Sequence, residues 1–241
     1  MRARQPLVIL LLSLSAFSAR GQDLVFTTIE KQPIMTVASE IVKELYRRLG
    51  HEISVVPMAA ARAAAEVSSN HVDGEVGRIV SFNENYPNLL RVPTHFYSAY
   101  TRAFVRVDRG ITKVDSGNLK NYRVARIRGV VNTDLLSREV PEAFDFSDIE
   151  TMFGFVRLGR ADIALTNHIG GMLILAEQGI TDIVPLEPPL ERRNFYHFIN
   201  VKHRDLVPLL DAVIREMTAS GELERLTREI EKKVIAGTIA Y

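Results

Sequence analysis

The sequence predicts an α/β protein of two lobes, each a mainly parallel sheet flanked by helices, with the second lobe inserted between about Val105 and Phe198. Three observations carry this. Runs of strand formers alternate with apolar residues spaced three and four apart, the pattern of strands joined by covering helices. After a polar stretch at 108–117 the alternation starts again, and from Leu206 onward the chain reads as helical.

Residues 24–28 are a run of strand formers. They feed a helix whose stripe is Ile34, Val37, Ala38, Ile41, Val42, Leu45 and Leu49, with Pro33 near its start and Gly50 as its stop. A second strand at 51–56, an alanine-rich helix at 59–67 and a third strand at 72–76 complete the first unit. Residues 83–93 read as a loop and 100–107 as a strand. The second unit has strands at 122–127 and 162–165, helices at 132–138 and 149–158, a helix closing at Gly179, and an extended piece at 183–185. In the tail, Leu209, Leu210, Val213, Ile214 and Met217 share a face, Ser220-Gly221 breaks the chain, and Leu223, Leu226, Ile230 and Val234 resume the stripe.

The 241 residues are 46% hydrophobic and 24% charged, a globular composition. With 30 Lys+Arg against 29 Asp+Glu there is no charge excess to neutralise phosphates, so no nucleic-acid partner is expected. Cysteine is absent, which removes disulfides, thiolate metal sites, a cysteine nucleophile and a lipid-bearing cysteine. The N-terminus has Arg2 and Arg4, an apolar stretch at 7–19 broken by Ser13, Ser15 and Ser18, and small residues before Gln22. That stretch falls short of the ~20 apolar residues of a spanning helix and has the parts of a cleavable signal peptide, residues 1–21. Its removal takes Arg2, Arg4 and Arg20 and no acid, leaving 27 basic and 29 acidic side chains. An exported, unanchored, cysteine-free chain suits a bacterial periplasm.

The six histidines, His51, His71, His95, His168, His197 and His203, show no three- or four-residue spacing, so no metal site is expected. There is no G-x-S-x-G elbow, no phosphate-binding loop and no G-x-G-x-x-G. No cofactor and no catalytic constellation is expected, and binding is favoured over catalysis.

The order of pieces, over about Asp23 to Val234, resembles the bacterial extracellular solute-binding proteins of family 3, the periplasmic receptors of ABC importers for amino acids and similar small polar solutes. The resemblance rests on Val72-Asp73-Gly74, on the segment from Leu90 to Tyr97, on Leu119-Lys120-Asn121-Tyr122-Arg123-Val124, on Gly159-Arg160-Ala161-Asp162-Ile163-Ala164, and on Ser220-Gly221-Glu222-Leu223. It implies the type II periplasmic-binding-protein-like fold: lobe 1 from 22–104 and 199–241, lobe 2 from 105–198, and a hinge of two crossover segments near 103–107 and 197–201. It implies a solute held at the strand C-termini and lobes that close over it. It also implies a membrane permease of an ABC transporter as partner, with the chain itself a monomer.

The family's arginine for an α-carboxylate would fall where Asn83-Glu84-Asn85-Tyr86 stands, and its acid for an α-amino group where Asn167 stands. Neither chemistry is kept by an amide. Arg78 and Arg128 close the strands that would face each other, which makes an anionic solute such as a carboxylate the natural candidate; otherwise both are solvated surface arginines. Tyr97 and Tyr100 are candidates for stacking or hydrogen bonding, with packing beside a crossover as the alternative. Thr28 and Glu30 end the first strand, Asn132 and Thr133 start a helix where capping alone would account for one of them, and Asn167 ends a strand. Two other roles share the fold. One is a stand-alone periplasmic sensor; the other is an exported dehydratase-like enzyme with Glu30 as general acid, against which stands a favourable charge at the following helix start.

Overall fold

The computed structural model describes residues 24–241. The predicted leader and its cleavage point lie outside them. Strand β1 (Leu24–Ile29), helix α1 (Pro33–Arg48), β2 (Ile53–Met58), α2 (Ala60–Ser68) and β3 (Gly74–Arg78) open the chain. β4 (Leu89–Arg91) precedes the long crossover strand β5 (Tyr97–Arg106). β6 (Val124–Ile127), α3 (Val131–Leu136), β7 (Ala143–Phe146), α4 (Ile149–Arg157), β8 (Ile163–Asn167), α5 (His168–Glu177) and β9 (Ile183–Pro185) follow. A second crossover strand, β10 (Glu191–Asn200), leads back to α6 (Leu206–Ala219) and α7 (Glu222–Ile235).

One curled sheet runs β2-β1-β3-β10-β5-β8-β6-β7, with β4 added beside β10 and β9 beside β5. The two halves repeat one plan. In each, the first strand lies between the second and third in parallel, and the strand arriving from the other half joins antiparallel. β10 pairs with β5 through Glu191–Phe195 and with β3 and β4 from Tyr196 onward. β5 passes from β10 to β8 at Thr101. Both exchanges fall a few residues before the crossover segments expected near 103–107 and 197–201. A strand can change neighbours only where the sheet twists away from its first partner, and hydropathy does not mark that point.

Helix α1 forms because its stripe has somewhere to go: Met35, Val37, Ala38, Ile41, Val42, Leu45 and Tyr46 are all buried against Phe26, Val76 and the tail helices. Pro33 sits in its first turn, and Arg47 and Arg48 in its last turn favour the negative end of the helix dipole. In the second half, Phe104, Met152, Phe153, Val156 and Ala164 form a separate core. Ile169 of α5 joins the first core instead, so α5 touches both halves.

Two strands, β4 and β7, were not expected from the sequence, and β2, β3 and β5 have shifted bounds. β4 lies within the segment read as a loop, and β7 was not foreseen because four residues carry too little periodicity. The third strand starts at Gly74 rather than Val72, since Asp73 spends its carboxylate on the Val25 amide (2.7 Å), His203 and Lys202. Among the described residues no helix is long and apolar enough to cross a membrane, and no group of three His, Asp or Glu side chains is placed to hold a metal ion.

Candidate functional site

In an open sheet, ligands sit beyond the carboxyl ends of parallel strands, where chain reversals leave polar groups free. Such a cleft, of about 300 Å³, opens here between the halves. One wall is the end of β1, the start of α1 and the end of β3, through Ile29, Gln32, Ile34, Met35, Arg78 and Ile79. The opposite wall is Val130 and Asn132 after β6 and Asn167 at the end of β8. The floor is the two crossover strands, through Ala99, Thr101, Arg193 and Phe195. Two arginines, two asparagines, a glutamine and a threonine thus join an otherwise apolar lining, and among the described residues no Asp or Glu lines the cleft.

Each arginine is backed by one glutamate. Arg193 donates to Glu191 Oε1 (2.9 Å), and Thr101 Oγ1 lies 3.4 Å from Glu191 Oε2. Arg78, 13% exposed, places Nη2 3.1 Å from Oε1 of the fully buried Glu75, and its guanidinium lies over the Phe82 ring. Thr27 Oγ1 donates to Glu75 Oε2 (2.6 Å). Arg78 Nε is buried and, like Glu75 Oε1, has no hydrogen-bond partner among the described residues, so the contact between the two side chains is an ion pair. Burial pushes the Glu75 carboxyl up to about 7, against the opposing pull of Arg78 and Thr27. Asn167 caps α5 by accepting from the Gly170 amide (2.7 Å), which leaves its NH2 group for the cleft.

Of the residues singled out from sequence, the fold brings Arg78, Asn132 and Asn167 together. The others lie elsewhere. Thr28 and Glu30 line a different, smaller hollow of about 160 Å³ beside α1 and residues 239–241; Thr28 is buried with its hydroxyl unpaired. The general-acid expectation for Glu30 therefore has no place in the cleft. Tyr97 is buried and donates to Glu231 Oε1 on α7 (3.1 Å). Tyr100 lines a hollow behind the crossover strands, where Arg102 lies over its ring and pairs with Glu187. Alternation along β5 accounts for Tyr100: Ala99 and Thr101 face the cleft, and Ser98, Tyr100 and Arg102 face the rear, whereas Tyr97 at the strand start also lines the rear hollow. Arg128 is exposed and does not line the cleft. Thr133 is buried and donates to the Val130 carbonyl (2.9 Å); the cap position of α3 is Val130, without a side-chain cap. Gln32, Thr101, Arg193 and Glu75 were missed, and the two strongest of these, Arg193 and Glu75, sit inside strands where a charge normally marks a solvated face.

No family model matches the sequence. An uncharacterized protein of Shewanella oneidensis is 26% identical over 191 residues, covering 76% of this chain and 71% of that protein. The second substrate-binding domain of a putative amino acid ABC transporter from Streptococcus pneumoniae superposes with a TM-score of 0.68 at 15% identity, over 87% of this chain and 99% of that one. A histidine kinase sensor domain with similarity to periplasmic binding proteins superposes with a TM-score of 0.61 at 16% identity, over 87% and 96%. With the repeated strand order, the paired crossovers and the cleft at the strand ends, these likenesses identify the fold as the two-lobed type II periplasmic-binding-protein fold.

Proposed function

We infer that the chain is a monomeric, exported solute-binding receptor that captures a small polar solute bearing a carboxylate and presents it to the membrane permease of an ABC-type importer. Its lobes are taken to meet where β5 and β10 exchange partners, a few residues from the boundaries at 104/105 and 198/199. The observation that carries this reading is the cleft lining: Arg78 and Arg193 converge on it from a strand end and a crossover, and among the described residues no acidic side chain lines it to receive an ammonium. A guanidinium binds a carboxylate through parallel, charge-assisted hydrogen bonds, and Gln32, Asn132 and Asn167 can serve the remaining polar groups. Contacts to one solute from both walls favour the closed arrangement, because only there are all of them made. Export through the leader at 1–21 and a periplasmic location belong to the same proposal. The likeness to a kinase sensor domain gives the sensor role a footing on this fold; pull-down of a permease rather than a kinase separates the two.

The test is thermal unfolding of residues 22–241 against amino acids, carboxylates, polyamines and sugars. A ligand at ~100 times its Kd adds ~2.7 kcal/mol, or roughly 5–10 °C for a chain of this size. A carboxylate should give such a shift, and Arg78→Ala or Arg193→Ala should cut it to about half or less. A shift confined to sugars or polyamines would contradict the reading.

A further inference from the structure

Arg78 is shared between two places, and that sharing has a chemical consequence. Arg78 lines the cleft, while its Nη2 lies 3.1 Å from Oε1 of Glu75, a carboxylate with no exposure to water. Among the described residues Glu75 has no other cation beside it. From β1 it meets the Thr27 hydroxyl, and from β10 the apolar Phe198 stands opposite it. His197, the preceding residue of β10, is engaged with the Tyr46 hydroxyl of α1 (2.9 Å) and the Val76 carbonyl (3.0 Å). On α2, Arg62 and Glu66 pair with each other, and Arg62 is 70% exposed. Asp73 is held by Lys202 and His203, and Glu84 is exposed.

A buried carboxylate with one cationic partner is stable as an anion only while that partner stays. A solute carboxylate in the cleft competes for the same guanidinium, because Arg78 lines the cleft and its side chain keeps 13% exposure. We propose that Glu75 is a positioning residue that holds Arg78 in the empty cleft and takes up a proton when an anionic solute draws Arg78 away. Capture then consumes one proton from water. The solute replaces Glu75 as the counter-ion, Glu75 becomes a neutral acid that keeps its bond to Thr27, and the net charge of the buried cluster is unchanged. Burial already places the Glu75 carboxyl at about 7 with Arg78 beside it, so loss of that cation raises it further.

This deepens the carboxylate-receptor reading and rests on it. The experiment is calorimetric titration of residues 22–241 with acetate, lactate and benzoate, all ionised at both pH 6 and pH 8, in buffers of different ionisation enthalpy. The expected result is affinity about tenfold weaker at pH 8 than at pH 6, with a buffer-dependent heat at pH 8 that reports roughly one proton taken up. In Glu75→Gln the affinity should be equal at the two pH values. A carboxylate that binds wild type equally at both, with no buffer dependence, overturns the proton coupling and leaves the receptor reading intact. If none of the three binds at either pH, the carboxylate reading fails and the coupling with it. The wild-type heats decide the question even if Glu75→Gln does not fold.

Discussion

At the scale of single residues, a fully buried carboxylate, Glu75, stands beside the cleft residue Arg78. Glu75 is raised from its ordinary 4.5 to about 7 by burial, so the folded state holds its proton over a range in which the unfolded chain has released it. Stability from this group is therefore present below about 4.5 and is lost as pH rises through about 7, by roughly 3 kcal/mol in all. Urea unfolding at pH 5 and pH 8 should show that loss in wild type, and Glu75→Gln should show a smaller one. His197 acts in the opposite direction. Burial holds it down at about 4, so the folded protein excludes a proton that the unfolded chain accepts as pH falls below 6.5, and stability drops on the acid side. None of this was legible in the sequence. In Gly74-Glu75-Val76-Gly77-Arg78 the glutamate reads as a solvated strand charge, because nothing local says that β3 lies between β1 and β10 with both its faces covered. Arg78 was legible because it ends a strand, where chain order alone points to the cleft.

At the scale of elements, long periodic segments were legible and short ones were not. The stripe of α1 and the broken stripe of α6 and α7 correspond to buried or partly buried faces, because an amphipathic helix has one core-facing side; Leu209, read into the α6 stripe, is instead half exposed, at the edge of that face. Where β5 and β10 cross, their side chains are partly buried on both faces, with the cleft on one side and a hollow on the other, so residue type does not reveal which face meets the cleft. That is why Tyr97 and Tyr100 drew attention and Thr101 and Arg193 did not. Binding measurements should separate the two faces: Tyr100→Ala leaves carboxylate affinity within about twofold, whereas Arg193→Ala weakens it roughly tenfold to a hundredfold, the loss of one charge-assisted bond of about 1.5–3 kcal/mol. Gly74 is the tightest point in the joining of β3 to β10. A Cβ there would stand 2.1 Å from the Phe198 carbonyl oxygen, so Gly74→Ala should destabilise by roughly 1–3 kcal/mol, seen as a lowered Tm.

At the scale of the whole molecule, two copies of one strand plan share a pair of crossover strands, and the cleft is the gap between them. The alternation of strand and helix was enough to read two lobes from sequence. The cleft itself was only partly readable, since its floor comes from residues distant in sequence such as Ala99 and Arg193, which meet only through β5–β10 register. Closure over a solute predicts a smaller radius of gyration by X-ray scattering when ligand is saturating, and no change in the Arg78→Ala, Arg193→Ala double variant. The measurement that bears most directly on the central claim is native mass spectrometry of residues 22–241 after incubation with a mixture of organic acids, amino acids, amines and sugars. A single carboxylic acid without a charged amine should be retained, one per chain, and the double variant should retain nothing. Retention of a cationic or uncharged solute, undiminished in the double variant, would contradict the assignment of Arg78 and Arg193 as the groups that hold the ligand.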